Sequence, residues 1–134
     1  MNKLNRKMEY ALMALRMISS KPTGDLTSAK EVAEQMHISF EATARVLQQL
    51  SASGLLQSEQ GVAGGYRLIK PLDQVSVHEL NEMLEGAQGI TKCLAKDEPC
   101  EISKTCNIVT PISNLNRKIQ NFYKSVSIAE VLHV

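Results

Sequence analysis

Hydrophobic positions in the first half of the chain recur at the spacing of amphipathic helices. The first predicted helix ends near Ser20, and its apolar face contains Leu4, Met8, Ala11, Leu12, Leu15 and Ile18. A capping box at 28–31 predicts a second helix that runs to about Met36. Ser39 can cap a third helix that continues to about Ser53 and buries Ala42, Val46, Leu47 and Leu50. The pattern therefore predicts two helices joined by a three-residue turn, as in a helix-turn-helix.

Two short strands follow this helix pair. Gly54 is a typical residue just beyond a helix end, and residues 55–59 and 66–69 are predicted to form short strands. The segment between them, 60–65, is rich in glycine and predicts a hairpin tip. A hairpin directly after a helix-turn-helix predicts the wing of a winged helix-turn-helix.

The second half of the chain predicts two more helices with a polar segment between them. A capping box at Ser76 starts a helix that ends at Gly86. Later apolar residues alternate at spacings of four and three, which is a heptad seam, at Ile108, Ile112, Leu115, Ile119, Phe122 and Val126. We expect this long helix to pair with its copy in a homodimer. The predicted fold is mainly α, with a DNA-binding region at 1–75 and a cluster-binding loop and dimerisation helix at 76–134, in one continuous domain.

Composition adds few constraints. The chain has 134 residues and a formal net charge of +1, with +3 on residues 1–70 and −2 on residues 71–134. This asymmetry permits nucleic-acid binding without requiring it. No apolar run resembles a signal peptide or approaches the roughly 20 residues of a membrane span. We therefore expect a cytoplasmic protein with no membrane partner.

A helix-turn-helix places the second helix of the pair in the major groove of double-stranded DNA, where its N-terminal and outward residues face base edges. The outward candidates on this helix are Ser39, Glu41, Thr43, Arg45 and Gln48. Candidates at the preceding helix start and on the wing are Ser28, Gln60, Gly64, Gly65, Tyr66 and Arg67. The alternative for each one is an ordinary solvated polar position.

Three cysteines, Cys93, Cys100 and Cys106, stand within fourteen residues, directly before the heptad helix. Thiolates are soft ligands for iron-sulphur clusters or zinc, and an odd number of cysteines cannot be paired fully in internal disulfides. The spacing predicts a metal site with three protein thiolates and one position unassigned. A DNA-binding protein with structural zinc, and a redox switch that uses only the thiols, both stay open as alternatives.

Several motifs together resemble one family. The stretch Glu9-Tyr10-Ala11-Leu12, the turn at Ile38-Ser39, the wing sequence at 64–68 and the cysteine triplet before a long helix are similar to the IscR, NsrR and RirA family of bacterial regulators. The resemblance covers nearly the whole chain. It implies a homodimeric winged-helix repressor or activator whose iron-sulphur cluster, 4Fe-4S or 2Fe-2S, reports iron supply, nitric oxide or redox state.

The resemblance also bears on the fourth ligand. IscR-like members use a histidine three residues after the last cysteine, where this chain has Val109. NsrR-like members use an acidic residue on the first helix of the partner subunit, and Glu9 occupies the matching position. The resemblance thus implies Glu9, acting across the dimer; the alternatives are that Glu9 is solvated or pairs with Lys3 or Arg6, and that His78 is the ligand. On the wing, IscR-like members carry an arginine where this chain has Gln60, which implies a different operator.

No catalytic pair of side chains and no phosphate-binding glycine loop followed by a helix is evident, and the cysteines do not match a four-cysteine ferredoxin. The glycines at 61–65 belong to the predicted hairpin. We therefore predict a regulator rather than an enzyme or electron carrier, with no small organic substrate.

Overall fold

The fold is mainly helical, with one two-stranded antiparallel hairpin. A computed structural model describes residues 4–86, 101–102 and 104–134. Within these ranges the chain forms α1 (Arg6–Ser20), α2 (Ala29–Met36), α3 (Phe40–Ala52), β1 (Leu56–Glu59), β2 (Gly65–Leu68), α4 (Val77–Glu85), α5 (Val109–Ser125) and α6 (Ile128–Leu132). A 3-10 turn, Leu72–Gln74, precedes α4. The predicted winged helix-turn-helix with a long C-terminal helix is confirmed.

Side-chain caps determine where several of these helices begin. The hydroxyl oxygens of Ser28 and Ser76 each accept a backbone N–H three residues later at 3.0 Å, and that of Ser39 accepts the N–H of Ala42 at 3.2 Å. The first N–H groups of a helix have no partner within the helix, so these caps stabilise the starts of α2, α4 and α3. Between α2 and α3 the chain turns at His37, whose φ of 57° lies in the left-handed region.

The wing is held against the helices by its base. β1 and β2 pair with Gln57 opposite Arg67 and Glu59 opposite Gly65. Thr27, just before α2, exchanges both backbone hydrogen bonds with Tyr66 of β2, at 3.0 and 2.9 Å. This short bridge fixes the wing relative to the start of α2.

One hydrophobic cluster connects the two ends of the chain. Its buried side chains come from α1, α2, α3, the wing base, the 3-10 turn, α4 and α6, and include Met8, Leu15, Leu47, Leu50, Leu56, Leu80, Leu84 and Ile128. Residues from both sides of the predicted boundary at 75 therefore share one core. No helix in the described ranges is long and apolar enough to cross a membrane.

The C-terminal segment differs from the prediction. The heptad seam was expected to continue through Val126, but α5 ends at Ser125, and Val126 is extended with φ −108° and ψ 120°. Val126 accepts the N–H of Val77 at 2.9 Å, and Ile128 donates its own N–H to Val75 at 2.8 Å. The helix ends there because this pairing and the Ser127 cap of α6 return the chain to the start of α4.

Candidate nucleic-acid interface and metal site

α3 has a polar outward face. Glu41, Arg45 and Gln48 are exposed, on the side of the helix opposite to buried Leu47 and Leu50. Neither Glu41 nor Arg45 forms an ion pair with any residue that the structure describes. Both charged groups are therefore available to a ligand on this face, where Arg suits guanine or phosphate and Gln suits adenine.

Thr43 does not belong to this face, and the prediction of an outward side chain was wrong. It is fully buried, and its hydroxyl donates to the carbonyl oxygen of Ser39 at 2.7 Å. A threonine can be buried within a helix because its hydroxyl reaches the carbonyl of the preceding turn. Thr43 thus stabilises the start of α3 from inside the core.

Replacing Thr43 by Val tests this role. The change keeps the shape of the side chain and removes the hydrogen bond to Ser39, so we expect the free energy of unfolding to fall by about 1 kcal/mol. We expect the DNA sequence preference to stay the same. Urea denaturation and base-by-base competition binding measure the two effects. A changed base preference at wild-type stability would show that Thr43 acts at the surface after all.

Ser28 and Ser39 are the cap residues at the starts of α2 and α3. Ser28 is half-buried and Ser39 is exposed, and each hydroxyl oxygen already accepts one backbone N–H of its helix. Because a hydroxyl group keeps its own proton to donate, both serines can still donate to a phosphate oxygen. The N-terminal ends of α2 and α3 add a favourable field for an anion.

The wing tip is shaped by close backbone contacts. A Cβ atom at Gly64 would lie 2.2 Å from the carbonyl oxygen of Glu59, and one at Gly65 would lie 2.8 Å from the carbonyl of Thr27. Both positions therefore need glycine to keep the hairpin and its bridge. Gln60 is exposed, and Val62 at the tip is fully exposed, a feature that the sequence analysis did not predict.

Tyr66 and Arg67 are more constrained than the other wing candidates. Tyr66 is half-buried, and burial raises the pKa of its phenol above 10.0, so it stays a neutral hydrogen-bond donor. Arg67 donates to the side-chain oxygen of Gln57 at 2.8 Å and to the Glu59 carboxylate at 2.5 Å. Arg67 thus connects β1 and β2, and a phosphate would have to compete with Glu59 for it.

Replacing Glu59 by Gln should release this guanidinium group. We expect tighter DNA binding and a steeper salt dependence. The plot of the logarithm of the binding constant against the logarithm of the salt concentration should become steeper by about 1, which corresponds to one additional phosphate contact. Fluorescence anisotropy titrations at several salt concentrations measure the slope. Glu130→Gln, the same charge change at an exposed residue of α6, is the matched control and should leave the slope unchanged. Equal slopes for wild type and Glu59→Gln would exclude Arg67 as a phosphate contact.

Part of the predicted metal site can be described. Cys106 is a half-buried free thiol, three residues before α5, whereas Cys93 and Cys100 lie outside the described residues. Among the residues that are described, no group of three or more His, Cys, Asp or Glu side chains is arranged to hold a metal ion. The structure therefore places only one of the three predicted thiolates.

The candidates for the fourth ligand have other partners in the single chain. Glu9 accepts a hydrogen bond from Arg6 at 3.0 Å, which is one of the alternatives considered for it, and Lys3 lies outside the described residues. His78 pairs with Glu82 one turn later on α4. Near Glu9, the start of α1 meets the end of α4, where Asn5 donates to the Glu85 carboxylate at 2.9 Å and the Lys7 ammonium lies 3.8 Å from it. The C-terminal end of α4 thus lies beside the N-terminal turn of α1.

Comparison with known proteins identifies the family. The Rrf2 family, described as iron-dependent transcriptional regulators, matches residues 4–134. A Haemophilus influenzae protein named as an HTH-type transcriptional regulator is 29% identical over 131 residues, covering 98% of this chain and 87% of the relative.

Solved structures agree with this result at the level of the fold. CymR, the global cysteine regulator of B. subtilis, superposes with a TM-score of 0.73 at 22% identity, covering 99% of this chain and 98% of CymR. IscR from T. potens superposes with a TM-score of 0.64 at 21% identity, covering 98% of this chain and 86% of that one. The resemblance inferred from the motifs is confirmed, and the chain belongs to the Rrf2 family of DNA-binding transcriptional regulators.

Proposed function

We propose that this protein is a cytoplasmic, homodimeric repressor whose affinity for its operator is switched by an iron-sulphur cluster. The cluster, 4Fe-4S rather than 2Fe-2S, is bound by Cys93, Cys100 and Cys106 of one subunit and by Glu9 of the partner subunit. Its signal is iron supply, nitric oxide or redox state. The operator is bound by α3 and the wing.

The observation that carries this proposal is the position of Cys106. Its half-buried thiol lies three residues before α5. α5 begins without a side-chain cap, so the N–H groups of its first turn favour a negatively charged ligand set nearby. The family description as iron-dependent regulators supports iron over zinc.

The donor set suits an iron-sulphur cluster. Three thiolates are the soft ligands that such clusters require, and a carboxylate is a harder, more easily displaced fourth ligand. Glu9 must leave Arg6 to act as that ligand, and because their ion pair is solvent-exposed, its loss costs less than about 1 kcal/mol. When bound, the cluster would supply a redox-active iron centre. The protein side chains would hold the cluster and bind the DNA.

α5 supports the dimer in this proposal. Ile108 precedes the helix, and Leu115 and Phe122 follow at heptad spacing; all three are exposed in the single chain, Phe122 by 63%. Such a row of large apolar side chains favours burial against a second copy of the helix. Two-fold symmetry would then hold the two α3 helices at the spacing of successive major grooves, about 34 Å apart.

The spacing between the two α3 helices is the property that we expect to differ between the cluster-bound and cluster-free dimer. The shared core connects α4 and α6 to α1 and α3, so a change at the start of α5 can be transmitted to the orientation of α3. A bond from Glu9 to the cluster of the opposite subunit would join the two N-terminal regions across the dimer. Loss of the cluster would release that connection and change the fit to two half-sites.

Anaerobic purification tests the proposal. Brown protein with visible absorption, iron and acid-labile sulphide, and an operator affinity that differs between the cluster-bound and cluster-free dimer, is the expected result. Colourless protein containing stoichiometric zinc would indicate the structural-zinc alternative. Disulfides among the three cysteines after mild oxidation of metal-free protein, with altered DNA affinity, would indicate the thiol-only switch. Equal affinities in the two cluster states would exclude the cluster as the switch.

A further inference from the structure

Phe40 is a large aromatic residue in an unusual position. It is the first residue of α3, directly after the Ser39 cap, and 55% of its surface is exposed. The hydrophobic effect disfavours leaving an aromatic ring in water, and a buried position would stabilise the fold. Its exposure at the N-terminal end of the helix that enters the groove suggests a binding role.

Phe40 continues into a row along one flank of α3. Residues four apart lie on the same side of a helix, so Phe40, half-buried Ala44 and exposed Gln48 follow one another. Glu41 and Arg45 form the neighbouring row, one residue further round. α3 thus presents a largely apolar row beside a charged row.

The chemistry of the apolar row matches A·T base pairs. The C5 methyl group of thymine is the apolar group that the major groove offers, and Phe and Ala are side chains that contact it. Gln forms two hydrogen bonds with adenine, the partner base of thymine. By contrast, Glu41 and Arg45 in the charged row suit cytosine and guanine.

We propose that Phe40 is a specificity-determining residue that reads a thymine methyl group, with Ala44 and Gln48 extending the preference for A·T pairs along the same flank. This inference rests on the operator binding by α3 proposed above and adds what α3 recognises. The first turn of α3 therefore selects thymine through an apolar contact, next to the hydrogen bonds of the charged row.

Binding to DNA with and without the methyl group tests the inference. Duplexes are first selected from a randomised library with the wild-type dimer, and each thymine of the selected sequence is then replaced singly by deoxyuridine, which lacks only the methyl group. At the position read by Phe40 we expect wild-type affinity to fall about fourfold, the effect of exposing one methyl-sized group. In the Phe40→Ala variant we expect the same replacement to cause no loss of affinity. In Phe40→Leu we expect a loss between that of Phe40→Ala and that of the wild type.

The control is Ile69→Ala, because Ile69 is equally exposed, at 54%, and lies just after β2, outside α3. It should keep the wild-type response to deoxyuridine, and circular dichroism should show unchanged helix content in all variants. Two results would overturn the reading of thymine by Phe40 while leaving operator binding intact. In one, the wild type binds every deoxyuridine duplex as tightly as the selected sequence. In the other, Phe40→Ala still loses affinity fourfold when deoxyuridine replaces thymine. Failure of the wild type to enrich any sequence would instead contradict the proposed function itself.

Discussion

Replacing Ile128 by Ala should reduce the free energy of unfolding by about 2–5 kcal/mol, a large part of the total stability of a chain of this size. Ile128 has no exposed surface and is part of the hydrophobic cluster shared with α1, α3 and α4. Removing its outer carbons leaves a cavity that the surrounding helices cannot close fully. Thermal and urea unfolding of the purified protein measure the loss.

Val131→Ala is the matched control, because Val131 lies on the same short helix and is 39% exposed. Its loss should stay within about 1 kcal/mol, since an exposed side chain contributes little. If Ile128→Ala unfolds like the control, α6 does not belong to the core. In that case, among the residues that the structure describes, only two backbone hydrogen bonds would connect the end of α5 to the start of α4. They are the bond from Val77 to Val126 and the bond from Ile128 to Val75.

Local patterns account for the parts of the fold that the sequence predicted correctly. Three serine caps and a left-handed glycine beyond α3 were visible as short motifs, and each acts within a few residues of its own position. The glycine-rich hairpin was equally local. Such features do not depend on the rest of the fold, which is why α2, α3, α4 and the wing could be located closely.

α6 shows what such local patterns leave out. Ser127 and Glu130 form the same type of capping box as the other helix starts, but a helix of five residues is too short to show a hydrophobic period. It is fixed by the pairing of Val75 with Ile128, which joins segments far apart in sequence. That contact could not be read from local spacing.

The error at Thr43 has a different origin. Positions 43, 46, 47 and 50 share one side of a helix, so the spacing placed Thr43 with the buried residues. The polar character of threonine led instead to an outward assignment, with half-buried Ala42 taken as the inward residue. Only the structure reveals that the carbonyl of Ser39 satisfies the Thr43 hydroxyl. Likewise, the contacts of Arg67 with Gln57 and Glu59 depend on the strand register.

Replacing Cys106 by Ser should abolish the cluster and leave the dimer in a single DNA-binding state. Serine keeps the size of the side chain but offers a hard oxygen in place of a soft sulphur, so iron and acid-labile sulphide should fall to background. Operator affinity should then equal that of the cluster-free wild type, a change of roughly 5- to 150-fold from the cluster-bound form, the usual range of coupling between two sites. Metal analysis and anaerobic anisotropy titrations measure both.

The controls separate the ligands from their neighbours. Thr105→Ala changes the exposed residue next to Cys106 and should keep the cluster. Glu9→Gln should keep the three thiolates but lose iron faster under nitric oxide, whereas Arg6→Ala, which removes the same ion pair without removing the carboxylate, should not. Wild-type iron content in Cys106→Ser would contradict the ligand assignment. Both variants remove the Arg6–Glu9 ion pair, but only Glu9→Gln removes the carboxylate. If the two variants lose iron at the same rate, Glu9 acts through its ion pair with Arg6, and another residue is the fourth ligand.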